Sequence, residues 1–563
     1  MEKVWLKSYP EGVAETVDVD ALGTISDVFD HAVERFRNNK GFVSVNTVQT
    51  YGETKRKVDQ FSSFLQHELG FKKGTRLAVM LPNCLQYPIT VLGALQIGAV
   101  VVNVNPLYTA RELGLQLADS EPQAIVIIEN FAHVLQKVLP QLPSIRHVVL
   151  ASIGDQLHSF WGPLLNFVVR HVKKAVPRFC LPREVIRFNE ALKLGKKKRH
   201  VKVQLSNTDL AFLQYTGGTT GVPKGTMLTH RNICANMAQA QEWLKPYDFK
   251  LGKEVAMTPL PLYHIFSLTI NMMIFLNLGG QNILIANPMD TKTFIRQMKK
   301  YRVSGLSGVN TLFNSLLNEP EFEKVDFSSW ILCLGGGAAI QREVAERWKK
   351  VTGLPIIEAY GLTEASPGVS LNPLTAQDWT GSIGLPVPST EISIRDEQGN
   401  EVPIGEPGEL WIKGPQVMQG YWNKPEETAK VLKDGWLFTG DIVSINTEGY
   451  LKLVDRKKDL VVVSGFNVYP NEIEDILVLH PDIVECAVIG VPHHRTGEAL
   501  KAFIVSRNAN LKGEAVTAFC RQYLTSYKVP KLFEFRETLP KTPVGKILRK
   551  VLREEEKAKG MTY

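Results

Sequence analysis

The chain has 563 residues, a formal net charge of +8, 44% hydrophobic residues and 22% charged residues. At roughly 150 residues per domain, this length predicts about three to four folding units and excludes a peptide hormone or a small binding module. The composition is typical of a globular protein with large cores and excludes a disordered chain. The six cysteines form no C-x-x-C pair, so we expect no disulfide framework, no zinc site and a reducing compartment.

The N-terminus and the most apolar stretches bear on localisation. The first twelve residues carry charges and a proline, where a secretory signal needs an apolar core of about 7 to 15 residues. Residues 88–104 and 270–286 are interrupted by glycine, asparagine and glutamine and fall short of about 18 consecutive apolar residues. We therefore expect no export signal, no membrane-spanning helix and a cytoplasmic protein.

From about residue 26 to residue 153, strand-like apolar runs alternate with amphipathic stretches, and the alternation resumes after Asp209. This rhythm predicts α/β subdomains with parallel strands and crossover helices. The predicted strands are residues 76–80, 100–104, 124–128, 148–150, 254–257, 282–285 and 331–333.

Two further patterns follow along the chain. Residues 381–454 contain short alternating strands at 391–395, 409–413 and 450–453, separated by a Gly- and Pro-rich turn, which predicts an antiparallel, β-barrel-like subdomain. After the charged segment 455–459 comes a compact α+β pattern, with strands near 484–490 and 501–505. We therefore predict an α/β protein with a large N-terminal domain, 1–457, and a small C-terminal domain, 458–563.

Residues 215–225 (YTGGTTGVPKG) follow a strand-like run and combine glycines, three threonines and a lysine. Glycines let backbone N–H groups converge on an anion, threonine hydroxyls donate to it, and the lysine adds positive charge. A tight strand-to-helix turn is the structural alternative, although a turn needs neither threonines nor a lysine. The spacing excludes the G-x-x-x-x-G-K-[ST] loop, because Val222 takes the second glycine position and Pro223 precedes Lys224.

This loop resembles the phosphate-binding signature of the adenylate-forming superfamily, which includes acyl-CoA synthetases, luciferases and peptide-synthetase adenylation domains. The resemblance covers nearly the whole chain. It recurs, in the superfamily's order, at 261–264 (PLYH), 335–339 (GGGAA), 360–364 (YGLTE), 439–441 (TGD), 455–459 (DRKKD) and 540–546 (PKTPVGK). Together with residues 464–474, the pattern is most similar to the bacterial long-chain fatty-acyl-CoA synthetases. It implies activation of a long-chain fatty acid by ATP through acyl-AMP, transfer to CoA, and release of AMP and pyrophosphate.

The resemblance implies which residues contact the phosphates. Glu364 is expected to be the Mg²⁺ ligand, and Thr363 is expected to contact the α-phosphate. As an alternative, Glu364 is a carboxylate at a helix N-terminus, stabilised by the dipole. The expected loop around the β- and γ-phosphates consists of Tyr215, Thr216, Gly217, Gly218, Thr219, Thr220 and Lys224.

The resemblance also implies an adenosine site. Tyr360 would stack on adenine, with backbone contacts from Gly337 and Ala338 on the other face. Asp441 would accept from the ribose hydroxyls, which Arg456 also reaches. The alternatives are an ordinary core tyrosine and solvated surface charges.

Four further positions take their roles from the resemblance. Lys546 is the expected catalytic lysine, bridging the carboxylate and α-phosphate oxygens. The small domain is expected to be mobile and to swing about Lys458, after which Gly465 lines the pantetheine passage. His264 is expected to gate thiol entry beside the acyl carboxylate. A solvated lysine, a turn glycine and a core histidine remain the alternatives.

The acyl chain is expected, again by resemblance, in a tunnel near residues 265–273, 307–313 and 335–338. These segments are apolar, and each buried methylene contributes about 0.8 kcal/mol. An ordinary core explains the same residues equally well, so the long-chain preference depends on the resemblance.

The basic surplus is local, because residues 161–202 carry a net charge of +10 and the rest of the chain −2. Within 161–176, Trp161, Leu164, Leu165, Val168, Val172, Ala175 and Val176 follow helical spacing, with Arg170, Lys173 and Lys174 off that stripe. The segment is expected either to contact an anionic membrane or to pack on the large domain with a solvated cationic edge. Because the basic charge is confined to one segment, and a nucleic-acid-binding protein usually has a broader basic face with interleaved aromatic residues, this pattern does not favour nucleic-acid binding.

Two other functions stay open at this point. One is a fatty-acyl-AMP ligase that passes its acyl group to a carrier protein, and the other is a non-catalytic lipid-binding protein of the membrane surface. A homodimer also stays open as an alternative to a monomer.

Overall fold

The computed structural model describes residues 2–158, 160–216, 223–247, 249–463, 466–542 and 545–560. The predictions on Gly217, Gly218, Thr219, Thr220 and Gly465 lie outside these residues. The fold is mixed α/β, with two large sheets and an antiparallel sheet in a large N-terminal domain and a further sheet in a small C-terminal domain.

Eight of the described strands form the first large sheet, which is parallel except at the edge that ends in Lys224–Thr229 and Gly420–Tyr421. Its inner strands are buried almost without interruption, as expected where helices cover both faces. The sheet confirms the parallel strands predicted between residues 76 and 150. Its order is Gly420–Tyr421, Lys224–Thr229, Leu210–Thr216, Val100–Asn103, Arg76–Met80, Ala124–Ile128, His147–Ala151 and Val185–Arg187.

The second large sheet has nine strands among the described residues, and its six central strands are parallel. Asn83 Nδ2 donates to the carbonyl oxygens of Thr258 (2.8 Å) and Leu260 (2.9 Å), which ties the two large sheets together. The order is Leu385–Pro386, Gly368–Leu371, Ile356–Gly361, Leu332–Gly335, Gly305–Gly308, Val255–Thr258, Gln281–Leu284, Lys40–Ser44 and Thr47–Thr50.

The helices of the large domain cover these sheets, and several begin at capping boxes. Thr24, Thr50, Thr109 and Thr229 each accept from the backbone N–H three residues on, while that residue's side chain accepts from the cap. The described α-helices before residue 460 are Ile25–Phe36, Tyr51–His67, Gln86–Gln96, Ala110–Ser120, Ala132–Val138, Trp161–Phe167, Phe188–Gly195, His230–Leu244, Ile265–Ser267, Ile274–Asn277, Thr291–Lys300, Asn310–Leu317, Arg342–Thr352 and Pro425–Val431. None of the helices in the described part of the chain is long and apolar enough to cross a membrane.

The antiparallel sheet begins at Glu391, later than the predicted start at 381, because Leu385–Pro386 pairs with Gly368–Leu371 in the second large sheet. Its described strands follow an open order, without closing into a barrel. They are Glu391–Arg395, Gly408–Lys413, Trp436–Ile445 and Leu432–Lys433 in order, with Leu451–Arg456 beside Trp436–Ile445.

The chain leaves this sheet at Arg456, passes through the 3₁₀ turn Lys457–Asp459 and enters another sheet at Val461. That C-terminal sheet has the described order Phe466–Val468, Val461–Val463, Gly497–Ser506 and Ile483–His493, with Leu532–Phe535 beside Gly497–Ser506. Its helices are Pro470–Leu477, Gly513–Cys520 and Arg549–Lys559. A domain boundary near Lys458 remains a prediction that agrees with this change of sheet.

The basic segment differs from the single helix predicted over 161–176. An α-helix, Trp161–Phe167, continues only as the π-helical turn Val168–Val172. Arg170 bonds Glu129 through Nε (3.0 Å) and Nη2 (2.9 Å), and the Glu129 side chain is 3% exposed. This ion pair to a buried carboxylate fixes the turn to the first large sheet, so the charge of Arg170 is paired with protein and is not only solvated.

Candidate active site

One corner of the site joins two sheets of the large domain around Asp441. Tyr360 Oη donates to Asp441 Oδ2 at 2.6 Å, and Arg456 Nε lies 3.1 Å from Asp441 Oδ1. Asp441 and Arg456 are also register partners on neighbouring strands of the antiparallel sheet. Burial raises the pKa of the Tyr360 hydroxyl, and the negative charge of Asp441 raises it further. The structure therefore brings together three residues predicted for adenosine and orients one buried carboxylate among them.

Glu364 lies in the 3₁₀ turn Thr363–Ala365, directly after the strand that carries Tyr360. Its backbone oxygen accepts from Met418 N at 2.8 Å, and its Oε1 accepts from Tyr421 Oη at 2.8 Å. These bonds fix a half-buried carboxylate, with Thr363 beside it, against the strand Gly420–Tyr421.

Glu364 is also the candidate magnesium ligand. Within the described residues, no group of three or more His, Cys, Asp or Glu side chains could hold a metal ion by itself. Mg²⁺ commonly binds proteins through one or two carboxylates and takes its other ligands from substrate phosphates and water. A single positioned carboxylate such as Glu364 fits that requirement.

The flanks of the glycine-rich loop are held by ion pairs. Lys224 Nζ lies 2.5 Å from Glu427 Oε2 and 5.1 Å from the centre of the Tyr421 ring. Thr216, the last described residue before the loop, is the register partner of Lys224. The Lys224 amine therefore lies close to Tyr421, whose hydroxyl donates to the Glu364 carboxylate.

Tyr215, the first residue of the predicted phosphate loop, is bonded to a carboxylate. Its hydroxyl donates to Asp119 Oδ2 at 2.6 Å, and Lys424 Nζ donates to the other oxygen of Asp119 at 2.9 Å. Burial and the charge of Asp119 raise the pKa of Tyr215. Tyr215 therefore ties the start of the loop to the helix Ala110–Ser120.

Lys546 reaches the Asp441 corner from the C-terminal domain. Its loop is closed by Thr542 N donating to Lys546 O (2.7 Å) and Lys546 N donating to Thr542 Oγ1 (3.0 Å). Burial lowers the pKa of the Lys546 amine to about 8, and the positive charge of Arg456 lowers it further against the opposing effect of Asp441.

Gly545, the residue before this lysine, shows how closely the loop approaches the large domain. Its φ is +79°, and a Cβ there would lie 2.3 Å from Thr311 Oγ1 and 3.4 Å from Val309 Cγ2. Both the backbone conformation and the contact require glycine. The loop is therefore seated directly on the large domain.

His264 caps the helix Ile265–Ser267, where its Nδ1 accepts from Phe266 N at 3.3 Å. Burial lowers the pKa of this imidazole to about 4, and the nearby charge of Lys546 contributes to the shift. His264 is therefore neutral at pH 7, and its imidazole is within electrostatic range of the Lys546 amine.

Three other predicted residues have less specific surroundings. Gly337 has φ +76° in the turn after Leu332–Gly335, and Ala338 beside it is half-buried. Lys458 lies in the turn Lys457–Asp459 between the two sheets. Partial burial and the charge of Arg456 lower the pKa of its amine to about 8.

The predicted acyl segments lie together in the large domain. Ser307 Oγ donates to Asn271 Oδ1 at 2.7 Å, which joins residues 265–273 to residues 307–313. Most apolar side chains there, including Leu268, Met272 and Phe313, are at most 1% exposed. The tunnel itself remains a prediction.

Several site residues were not found by the sequence analysis. Tyr421, Glu427 and Thr311 contact Glu364, Lys224 and the Lys546 loop, respectively. Glu358 is buried two residues before Tyr360, and its burial raises the pKa of its carboxyl to about 8. Each contact joins segments far apart in sequence, so no local pattern could have identified these residues.

Comparisons with known proteins agree with this geometry. Residues 29–422 match the family model of AMP-binding enzymes, and residues 472–546 match that of the AMP-binding enzyme C-terminal domain. The chain is 50% identical over 562 residues to a long-chain-fatty-acid–CoA ligase of Yersinia pestis, covering 100% of both chains.

Two solved structures share the fold. The anthranilate CoA ligase AuaEII has a TM-score of 0.84 at 23% identity, covering 95% of this chain and 98% of its own. ATP-bound MatB from Rhodopseudomonas palustris has a TM-score of 0.78 at 26% identity, covering 94% of this chain and 99% of its own. With its two matching domains and a clustered set of signature residues, the chain belongs to the AMP-binding enzyme family.

Proposed function

We propose that this protein joins long-chain fatty acids to CoA through an acyl-AMP intermediate, using ATP and releasing AMP and pyrophosphate. The full-length identity to a long-chain-fatty-acid–CoA ligase supports this substrate class. The observation that carries the chemistry is the position of the Lys546 loop, which approaches Thr311 of the large domain although it comes from another domain. Its amine is thereby within electrostatic range of Asp441, Arg456 and His264.

In the first half-reaction, a carboxylate oxygen attacks the α-phosphorus of ATP, and pyrophosphate leaves. Two anions meet in this step, and the transition state gathers charge on the phosphoryl oxygens. Lys546 is the proposed cation that bridges the carboxylate and the α-phosphate, because its amine is positioned and largely removed from water. Neutral His264 lines the same space, and we propose that it packs near the acyl carboxylate and gates thiol entry.

The large domain supplies the proposed nucleotide site. Tyr360, with Gly337 and Ala338, is proposed to contact adenine, while Asp441 and Arg456 hold the ribose. Phosphate contacts are proposed for Thr363 and for the loop 215–224, which includes Thr216, Gly217, Gly218, Thr219, Thr220 and Lys224, with Tyr215 as its anchor to Asp119. Glu364, oriented by Tyr421, would hold Mg²⁺. Such an ion offsets phosphate charge when it is bound.

In the second half-reaction, the CoA thiol attacks the acyl carbon, AMP leaves, and the thiol proton is released. We propose that the small domain first rotates about Lys458, which withdraws Lys546 and turns the loop containing Gly465 toward the thiol path. The turn Lys457–Asp459 supports this hinge, because it is the short connection between the two sheets.

One assay tests the proposal. Purified protein with ATP, Mg²⁺, CoA and acids of increasing chain length should form AMP and acyl-CoA in equal amounts, most efficiently with long acids. Pyrophosphate exchange into ATP should need the acid but not CoA. Formation of acyl-AMP without transfer of the acyl group to CoA would instead indicate a ligase that donates to carrier proteins. Pyrophosphate exchange that no fatty acid stimulates would refute the proposal.

We also propose peripheral contact with anionic membranes through residues 160–176. Much of the predicted apolar stripe faces solvent here: Trp161 is 62% exposed and Val172 67%, and the neighbouring Phe160 is 72% exposed. Amphipathic aromatic side chains beside lysines are suited to the boundary of an anionic bilayer. The ion pair between Arg170 and the buried Glu129 fixes this surface to the large domain.

Vesicle binding tests this contact. Binding to vesicles rich in phosphatidylglycerol should weaken with salt and be lost on combined charge reversal of Lys173, Lys174 and Lys196 to Lys198. Charge reversal at the exposed Lys512 and Lys531 of the C-terminal domain is the matched control. Equal binding by both variants, or no binding of wild type at low salt, would refute the contact.

A further inference from the structure

Asp455 is a buried carboxylate at the end of the last strand of the large domain, and its side chain is 0% exposed. Its Oδ2 accepts from Asn471 N at 2.8 Å, and its Oδ1 accepts from Arg456 N at 2.7 Å and from Arg549 Nη1 at 3.3 Å. Asn471 N is an early donor of the helix Pro470–Leu477. Asp455 therefore satisfies a helix N-terminus and an arginine that both belong to the other domain.

Arg549 has further partners, all later in the chain than the proposed hinge at Lys458. It donates to Glu474 through Nε (3.0 Å) and Nη2 (2.5 Å), to Asp459 through Nη1 (3.4 Å), and to the side chain of Asn471. Rotation about Lys458 would carry Arg549, Glu474 and Asn471 together. It would separate all three from Asp455.

Arg549 is closely connected to the catalytic loop. It begins the helix Arg549–Lys559, three residues after Lys546. Leu548 N, one residue before it, donates to Pro540 O at 2.8 Å, and Thr542 bonds Lys546 in both directions. The position of the arginine therefore fixes the position of the loop that bears the amine.

We infer that Asp455 is a positioning residue that holds the Lys546 loop over the nucleotide site through Arg549 and Asn471, and that it is released when the domain rotates. The inference rests on the proposed two-step reaction. The contact between Asp455 and Arg549 can break and form again, because Arg549 remains bonded to the carboxylates of Glu474 and Asp459 after it leaves Asp455. A buried charge that lost every partner would be costly instead.

The test compares two variants that alter different partners of the same arginine. Asp455→Asn should lower acyl-AMP formation relative to thioester formation from supplied acyl-AMP by about tenfold, the scale of one buried charge-assisted hydrogen bond. Glu474→Gln, the matched control, changes a contact that travels with the arginine and should leave this ratio unchanged. Asp455→Ala, which removes both acceptors, should lower the ratio further than Asp455→Asn, whose amide oxygen can still accept from Asn471 N.

A second readout is independent of nucleotide chemistry. Hydrogen exchange in residues 309–313, which the Gly545 loop covers, should be faster in Asp455→Asn than in wild type and unchanged in Glu474→Gln. Equal changes in both half-reactions, or unchanged exchange in 309–313, would overturn the inference. If the wild-type protein made no acyl-AMP, the proposed function would be refuted. The hydrogen-exchange measurement would still test whether Asp455 holds the Lys546 loop against the large domain.

Discussion

The two domains contribute to the site in opposite ways. In the large domain, Tyr360 and Arg456 both bond Asp441, and Tyr421 orients Glu364. The small domain supplies one amine, Lys546, on a loop whose own bonds are local and which is pressed against Thr311. In the proposed reaction, the groups that bind the nucleotide are thus fixed in advance, and the small domain brings the reacting cation to them.

This difference follows from the chemistry of two half-reactions at one site. Donors and charges that bind the nucleotide throughout gain from preorganisation, because they need no rearrangement at the moment of reaction. The cation needed only for adenylation gains from a position that can be vacated. Substitutions in the large domain and in the small domain can therefore test the two contributions separately.

Removal of the delivered amine has the largest expected effect. Lys546→Ala should lower acyl-AMP formation by about 100-fold to 1,000-fold, the scale of losing one electrostatic group at a transition state. Thioester formation from supplied acyl-AMP should be retained. Single-turnover assays of each half-reaction measure the ratio, and Lys541→Ala, in the same loop but paired with Glu485, is the control. Equal loss of both half-reactions would contradict the role.

Restriction of the connecting turn should affect the other half-reaction. Lys458→Pro fixes φ near −65° at the proposed hinge, so thioester formation should fall by about tenfold or more while acyl-AMP formation is spared. Lys458→Ala removes the amine but keeps the backbone rotation, and it should resemble wild type more closely. Unchanged overall turnover in the proline variant would count against rotation at this residue.

A substitution in the large domain, with a smaller expected effect, tests the groups that are fixed in advance. Tyr421→Phe removes the hydroxyl that orients Glu364, and the Mg²⁺ concentration for half-maximal pyrophosphate exchange should rise about threefold to tenfold. Tyr523→Phe, at an exposed tyrosine of the small domain, is the control. An identical Mg²⁺ dependence in both variants would show that this hydroxyl does not position the ligand.

The smallest effect is expected from pH. Because the pKa of Lys546 is lowered to about 8, its charged form predominates below pH 8 and is lost as the pH rises through that value. Acyl-AMP formation should therefore decline by about half near pH 8, although bound phosphates favour the charged amine and shift the decline upward. Rate profiles of wild type and Lys546→Arg, whose guanidinium stays charged, should differ in this alkaline limb. Superimposable profiles would assign the decline to another group.

Much of the fold was predictable because it depends on local patterns. The strands 76–80, 124–128 and 391–395 were predicted at the bounds that the structure gives them, since buried parallel and alternating antiparallel runs have distinct periodicities. The length of the basic helix was overestimated because residue spacing alone cannot reveal the ion pair between Arg170 and Glu129 that accompanies its π-helical turn. The sheet containing Leu385–Pro386 was misassigned because its partner strand is decided by tertiary pairing.

The sequence by itself determined the family resemblance, the order of the domains and the residue types that nucleotide chemistry needs, because motifs and hydrophobic periods are short-range properties of the chain. Only the tertiary structure decided that Lys546 lies beside Asp441 and His264, that Tyr421 orients Glu364, and that Asp455 bonds Arg549 across the connecting turn. These contacts join residues 57 to 282 positions apart, and the packing of sheets and loops, which no local pattern records, sets the distances between them.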